Sequence, residues 1–181
     1  FLDLEIEGAD QGRPNHLGQF NPLPDVFWGA KSGLHCLDHV VESVMEEGWT
    51  HHIPRLMILG NLATLLDVEP KQLSDWFHEC FIDAFDWVVE PNVLGMASTS
   101  MGTTMMTKPY VSGTPYINKM SDYCQSCALD PKKNCPISNL YWAFLERHKK
   151  AFEGNHRMSM AMRNLNRRSD EKKKQDEAVF H

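Results

Sequence analysis

Residues 51–89 read "HHIPRLMILGNLATLLDVEPKQLSDWFHECFIDAFDWVV", and they contain the two segments that decide the fold. The first segment, "RLMILGNLATLL", is apolar on nearly every side, which is typical of a buried helix. Pro54 is tolerated in its first turn, and the helix stops before Pro70. The second segment runs from Pro70 to Val89, ends before Pro91 and gathers its aromatic residues on one broad face. The stretch therefore predicts two helices, the first of them central.

Helical signals also dominate on either side of this pair. Upstream, apolar residues recur every three or four positions from Leu34 to Met45, with Ser32 as predicted N-cap and Gly48 as terminator. Downstream, the same periodicity returns in "ISNLYWAFLERHKKAF" and again from about Arg157 to the charged end. No convincing run of alternating strand residues appears. The chain is predicted to be all-α.

Residues 91–123 interrupt this pattern with Gly, Ser, Thr, Met and Pro in "PNVLGMASTSMGTTMMTKPYVSGTPYINKMSDY". A long connection without periodicity in a compact domain is usually functional or disordered, and its aromatic and methionine residues disfavour disorder. We therefore expect an ordered loop that lines a site.

Length and charge narrow the class of protein. A chain of 181 residues suits one domain with a real core. The net charge of −6 is uneven, because residues 1–146 hold 8 Lys/Arg against 19 Asp/Glu and residues 147–181 hold 10 against 5. This basic end could meet a polyanion or could equally be a solvated helix surface. Without a membrane-length apolar run or a signal peptide, we expect a soluble, cytoplasmic monomer with no membrane partner.

Five cysteines suggest a metal site in a reducing compartment. Cys124, Cys127 and Cys135 lie within a dozen positions, so their thiolates can converge on one ion or cluster. Cys36 and Cys80 compete for the fourth position. Cys80 lies in the aromatic helix, where a buried, inert thiol is more typical, and Cys36 is the better candidate. Zinc and an iron–sulfur cluster both accept four thiolates, and the spacing favours the cluster only slightly.

Four separated motifs point to a family. In order, "HHIPRLMILGN", "WFHECFIDAFDWVVEPNVLGM", "TKPY…YINKMSDYCQSC" and "CPISNLYWAFLERH" resemble the C-terminal half of the bacterial cryptochromes and photolyases that carry an iron–sulfur cluster. The resemblance covers about residues 22–165. It implies a helical FAD-binding domain of the cryptochrome/photolyase type, with a long ordered loop that holds a [4Fe-4S] cluster. The matching ligands are Cys36, Cys124, Cys127 and Cys135.

The resemblance also implies a domain organisation. Residues 1–27 would be an extended lead-in, residues 28–168 a partial helical FAD-binding and iron–sulfur domain, and residues 169–181 the charged end of the last helix. The N-terminal α/β domain of the family, which binds the antenna chromophore, is absent from this sequence. The chain is therefore expected to be a fragment or a truncated relative.

The same motifs assign cofactor-binding residues by resemblance. Arg55 and Asp83 match an Arg–Asp pair beside the isoalloxazine ring of FAD, although a plain salt bridge between helices is the alternative interpretation. Ala84 and Phe85 would follow along the wall of the pocket. Val89 matches the position that faces the flavin N5 edge, where many members carry a polar or acidic group.

Four further residues would serve the chemistry. Trp76 and Trp28 match an aromatic relay for electrons, although a tryptophan on a helical face is more often part of a core. His51 and His52 are predicted as catalytic, since His52 matches a proton donor of the (6-4) photolyases. A histidine at a helix start is otherwise more often a cap.

Three functions remain open at this point. The first is light-driven repair of (6-4) photoproducts in UV-damaged DNA, which would be flipped into the pocket. The second is a cryptochrome-type photoreceptor that repairs nothing. The third is a non-enzymatic, nucleic-acid-binding iron–sulfur module resembling the corresponding domain of the primase large subunit.

Overall fold

The computed structural model describes residues 15–102 and 106–181, and in these residues the regular structure is helical. Residues 1–14 of the predicted lead-in lie outside them. Extended pairing within the described ranges is limited to an isolated bridge between Asn21 and Val68. The all-α prediction is confirmed. The helices are α1 (His35–Glu47), α2 (consecutive segments His52–Pro54, Arg55–Gly60 and Asn61–Leu65), α3 (Pro70–Cys80), α4 (Asp86–Val89 continuing as Glu90–Ala97), α5 (Thr114–Met120), α6 (Ile137–Arg147), α7 (Ser159–Asn166) and α8 (Asp170–Phe180).

Helix α2 is the centre of the domain. Every residue from 56 to 65 is buried, as predicted from its apolar surface. Helices α1, α4 and α6 pack against it, while α3 packs on α4 and α8 packs on α6. Its middle segment, Arg55–Gly60, is π-helical. Such a wide turn is often found at functional sites, and this one begins at Arg55.

The predicted single helix over residues 70–89 is wrong in two places. The chain leaves the helix after Cys80, with Phe81 in an extended conformation, and re-enters it at Asp86. It then continues through Pro91 to Ala97 as a π-helical segment. Proline lacks the N–H that an α-helix needs, and a wider turn accommodates it. One residue later, the Asn92 side chain donates to the Val88 carbonyl at 2.7 Å.

The start of α1 also differs from the prediction, whereas its end agrees. Leu34 is the N-cap, and Ser32 lies in the preceding turn, where its Oγ accepts from the Leu34 N–H at 3.0 Å. Gly48 ends the helix with a positive φ of 63°, and its N–H donates to the Val44 carbonyl at 2.8 Å. Glycine adopts this left-handed conformation without steric cost.

Residues 91–123 contain more regular structure than the predicted loop. Their first part completes α4, and α5 occupies Thr114–Met120. The predicted last helix is also divided, since α7 and α8 are separated at residues 167–169 and the Ser169 Oγ caps α8 by accepting from the Lys172 N–H. In residues 15–102 and 106–181, no helix has both the length and the apolar composition that spanning a membrane would require.

Candidate cofactor sites

The Arg55–Asp83 pair lies where the break after α3 faces the start of α2. Arg55 donates from Nη1 to Asp83 Oδ1 and from Nη2 to Asp83 Oδ2, both at 2.9 Å. The same guanidinium donates from Nε to the Thr50 carbonyl at 2.7 Å. A bidentate Arg–carboxylate contact fixes the plane of the guanidinium as well as its position. The break in the helix at residues 81–85 is therefore what presents Asp83 to Arg55.

Aromatic rings surround this pair. The Arg55 Cζ lies 4.3 Å from the centroid of the Phe81 ring and 5.8 Å from that of Trp49. The hydrogen bonds from Arg55 are the largest cause that holds the pKa of Asp83 below its ordinary value, and the Trp49 indole adds to this effect. The carboxylate therefore stays charged to a more acidic pH than an ordinary Asp; its side chain is 42% exposed and that of its partner 17%.

An open pocket lies beside Arg55, with about 450 Å³ of space when the open solvent at its mouth is included. Its wall is mostly apolar with a few polar groups, and α2, α3 and α4 supply it. The lining residues are His52, Arg55, Leu56, Phe77, Val88, Val89, Asn92, Val93 and Ala97.

The predicted flavin-site residues do not all line this cavity. Arg55 and the buried Val89 do, whereas Asp83 stands behind Arg55 as its partner. Ala84 is half-buried and packs against the core. Phe85 is 58% exposed and stacks on Trp87, with ring centroids 6.0 Å apart.

The two predicted catalytic histidines also separate. His52 is exposed and lines the cavity. His51 points its ring at Trp49, with centroids 4.5 Å apart and an angle of 70°, and is not among the residues that line the cavity. The structure thus places one of the pair, His52, where a ligand could reach it.

The two predicted relay tryptophans occupy different environments. Trp76 is 1% exposed and packs against Phe27, Phe77 and Phe81. Its Nε1 donates to the Phe27 carbonyl at 3.0 Å. Trp28 is 54% exposed and does not appear among the described ring contacts of Trp76. Trp76 and Trp28 are linked through the main chain, because the Phe27 carbonyl that accepts from Trp76 directly precedes Trp28.

Four cysteines line a second cavity, of about 290 Å³, between α1 and the chain before α6. They are Cys36, Cys124, Cys127 and Cys135, the four predicted ligands. Cys80 lies on α3 outside this lining. Within the described part of the chain, no three His, Cys, Asp or Glu side chains are close enough to hold a single metal ion. The thiols are thus gathered around a space and do not meet at one point.

The loop that carries these thiols is held by local hydrogen bonds. The Asp130 carbonyl accepts from the Cys135 N–H at 3.1 Å, and the Cys127 Sγ accepts from the Leu129 N–H at 3.5 Å. Burial, followed by the nearby Cys135, raises the pKa of the Cys36 thiol to about 12. Burial also raises the pKa of Cys124. Negative charge on these sulfurs therefore needs a positive counterpart in the cavity.

The two cavities fit different groups. Four soft sulfur donors around one space match an iron–sulfur cluster, which needs four cysteines. The mostly apolar 450 Å³ cavity, with Arg55 and Asn92 in its wall, fits a planar ring system with hydrogen-bonding edges.

Sequence reasoning missed two residues near the larger cavity. Asn92 lines the cavity, but it directly follows Pro91, at which the sequence predicts the end of a helix. Trp49 was hidden in the connection between α1 and α2. The sequence signal for Trp49 is a large aromatic residue directly after Gly48, where α1 ends.

Comparisons with known proteins show two relatives of this sequence. The chain is 39% identical over 159 residues to a (6-4) photolyase of Agrobacterium fabrum, a similarity that covers 85% of this chain. The chain spans about a third of that relative, 31% of its length. It is also 28% identical over 115 residues to uncharacterized protein R855 of Acanthamoeba polyphaga mimivirus, covering 64% of this chain and 90% of that protein. No family model matches the sequence.

Together, these observations describe a helical domain with two cavities. The similarity to the Agrobacterium protein supports a relationship to the photolyase/cryptochrome family.

Proposed function

We propose that this chain forms part of a flavin-dependent enzyme that uses light to repair (6-4) photoproducts in UV-damaged DNA. The observation that carries the proposal is the cavity beside α2, which has Arg55 in its wall, locked by Asp83, and His52 at its edge. The similarity to a protein named a (6-4) photolyase, over 85% of this chain, adds support.

The residues of the cavity suit FAD as the ligand. When bound, FAD supplies light absorption and the transfer of an electron. Arg55 offers a fixed positive charge to the ring system, and negative charge on the ring gains most from this in a cavity that excludes water. The Asn92 side chain provides a polar group in the cavity wall, and the buried Val89 side chain makes the neighbouring part of the wall apolar.

His52 is the proposed proton donor to the flipped-out lesion. Its imidazole lies at the cavity and is exposed, so a base entering from solvent can reach it. Imidazole exchanges protons near neutral pH more readily than any other side chain. His51, which packs on Trp49, is assigned no direct part in this transfer.

We further propose that Cys36, Cys124, Cys127 and Cys135 hold a [4Fe-4S] cluster. A single zinc ion requires its thiolates at about 2.3 Å from one centre. A cubane cluster instead takes one thiolate at each of four irons, so its ligands stand farther apart. All four cysteines line one cavity, which supports a shared ligand, and the match of their motifs to the cluster-bearing family is the reason to propose the cluster over zinc. Its proposed role is to tie α1 to the loop before α6.

The first prediction tests repair. The complete, flavin-loaded protein should restore (6-4) lesions in an oligonucleotide under blue light, measured by chromatography of the products. His52→Ala should reduce the repair rate about 10²–10⁴-fold, the size of a general acid contribution, while flavin content and DNA binding stay unchanged.

His78→Ala is the matched control, because His78 pairs with Asp86 outside the cavity. It should repair normally. An unmutated, flavin-loaded protein that repairs nothing would instead identify a photoreceptor.

A further inference from the structure

Trp49 contacts Arg55, which is assigned to the proposed flavin site, and His51, which lies outside the cavity. It lies between Gly48, where α1 ends, and the first residue of α2. Its ring is 5.8 Å from the Arg55 Cζ and 4.5 Å from the His51 ring centroid. The side chain is 36% exposed and so lies at the surface above the ion pair.

Arg55 is held from several directions. Its Nε–H and one N–H from each terminal nitrogen donate to Thr50 and Asp83. A guanidinium has five N–H groups, so two remain for other partners. Arg55 also lines the cavity, so the side chain that carries these donors is next to a bound ligand. Their direction depends on how firmly the guanidinium plane is held.

Phe81 and Trp49 are the aromatic groups that hold this plane. Phe81 is buried and belongs to the core, so its contact follows from folding alone. Trp49 is outside the core and makes its contacts to Arg55 and His51 at the surface.

We propose that Trp49 is a positioning residue, which fixes the Arg55 guanidinium for a flavin ring and shields the Arg55–Asp83 pair from water. The inference rests on the proposed function. A ring beside a guanidinium attracts it electrostatically, and excluding water strengthens the ion pair. Trp49 would thereby act on the ligand through the Arg55–Asp83 pair, since its ring lies beside Arg55 and its indole also lowers the pKa of Asp83.

The test compares three variants of the complete protein. Trp49→Ala should weaken FAD binding about twofold to fivefold, the size of a cation–π contact at a partly exposed site. Trp49→Phe keeps a ring and should restore most of the affinity. Trp87→Ala is the control, since Trp87 is 77% exposed and its ring contacts Phe85. FAD affinity is measured by fluorescence titration.

A second measurement does not require flavin. In the flavin-free complete protein, the NMR signals of the Arg55 terminal N–H groups should be separate when the guanidinium is held. They should remain separate in Trp49→Phe and merge in Trp49→Ala, while thermal stability stays nearly constant.

The outcomes distinguish this inference from the proposed function. Unmutated protein that binds no FAD would refute the flavin site, and the NMR comparison would still decide the role of Trp49. Separate Arg55 signals in Trp49→Ala, or an equal loss of affinity in Trp87→Ala, would overturn the inference.

Discussion

Cys36 and Cys80 have chemically identical side chains, but they lie in different surroundings in the fold. Both lie in helices and both have a pKa raised by burial. Cys36 lines the cavity shared with three other thiols, whereas Cys80 is half-buried outside that lining. Spacing along the chain favoured Cys36 only weakly, and it is the packing of α1 against the loop that brings Cys36 to the other thiols.

This difference gives a prediction for metal content. Cys36→Ser should lower the iron of the purified complete protein from about four atoms per chain to near zero, because one ligand of a four-cysteine cluster is lost. It should also lower the melting temperature, since the cluster ties distant segments together. Cys80→Ser is the matched control. Iron and sulfide analysis would contradict the assignment if Cys80→Ser, and not Cys36→Ser, lost the metal.

At the scale of elements, the wall of the larger cavity depends on close contact between α2 and α4. A methyl group added to Gly60 would lie 2.6 Å from the Ala97 Cβ, closer than two carbon atoms can approach. The Thr64 hydroxyl donates to the Ala97 carbonyl at 2.7 Å and fixes the same crossing. Ala97 lines the cavity, so this contact helps to set its width.

Gly60→Ala should therefore destabilise the protein by about 1–3 kcal/mol, the usual cost of overpacking, despite the higher helix propensity of alanine. Adding Ala97→Gly should recover most of this loss, because it removes the opposing methyl group. Urea denaturation of the single and double variants measures both effects. A Gly60→Ala protein as stable as the original would show that the two helices separate at little cost.

At the scale of the whole molecule, Asp67 links segments far apart in sequence. It follows α2 with a positive φ of 53°. Its carboxylate accepts from the Arg147 Nε at 2.7 Å and the Gln19 Nε2 at 3.1 Å, and lies 2.7 Å from the His148 Nε2. Arg147 in turn lies 3.5 Å from the Phe180 ring of α8. One carboxylate thereby joins the lead-in, α2, α6 and α8.

This network predicts a dependence of stability on pH. Hydrogen bonding and charge from His148, followed by Arg147, hold the pKa of Asp67 below its ordinary value despite burial. Its stabilising effect is therefore complete above the unfolded-state pKa of about 3.9 and is lost as the pH falls through the lower folded-state value. The unfolding free energy should fall steeply in that acidic range.

Asp67→Asn isolates this effect, because asparagine also tolerates a positive φ. It should cost on the order of 3 kcal/mol at pH 7, since it leaves buried charge unpaired, and flatten the acid slope. Asp75→Asn, which removes an exposed pair with Lys71, should change stability little. Equal acid slopes for Asp67→Asn and the unmutated protein, in urea titrations at several pH values, would contradict this role.

Several features of the fold could be predicted from the sequence alone, because they depend on residues that are close together along the chain. Apolar periodicity and Gly48 identified the all-α class, the buried α2 and the end of α1. Local rules failed in two places: they did not predict the break after Cys80, and they ended the helix at Pro91, which a wider helical turn accommodates.

The composition of the sites depended on tertiary structure. The motifs named Arg55, Asp83, His52 and the four cysteines, but spacing could not say which of them would share a cavity. Only packing placed His52 at the cavity, turned His51 toward Trp49 and left Phe85 exposed. The physical reason is that apolar periodicity predicts only which face of a helix is buried. The partner of each polar side chain depends on the angles and positions at which α2, α3 and α4 pack together.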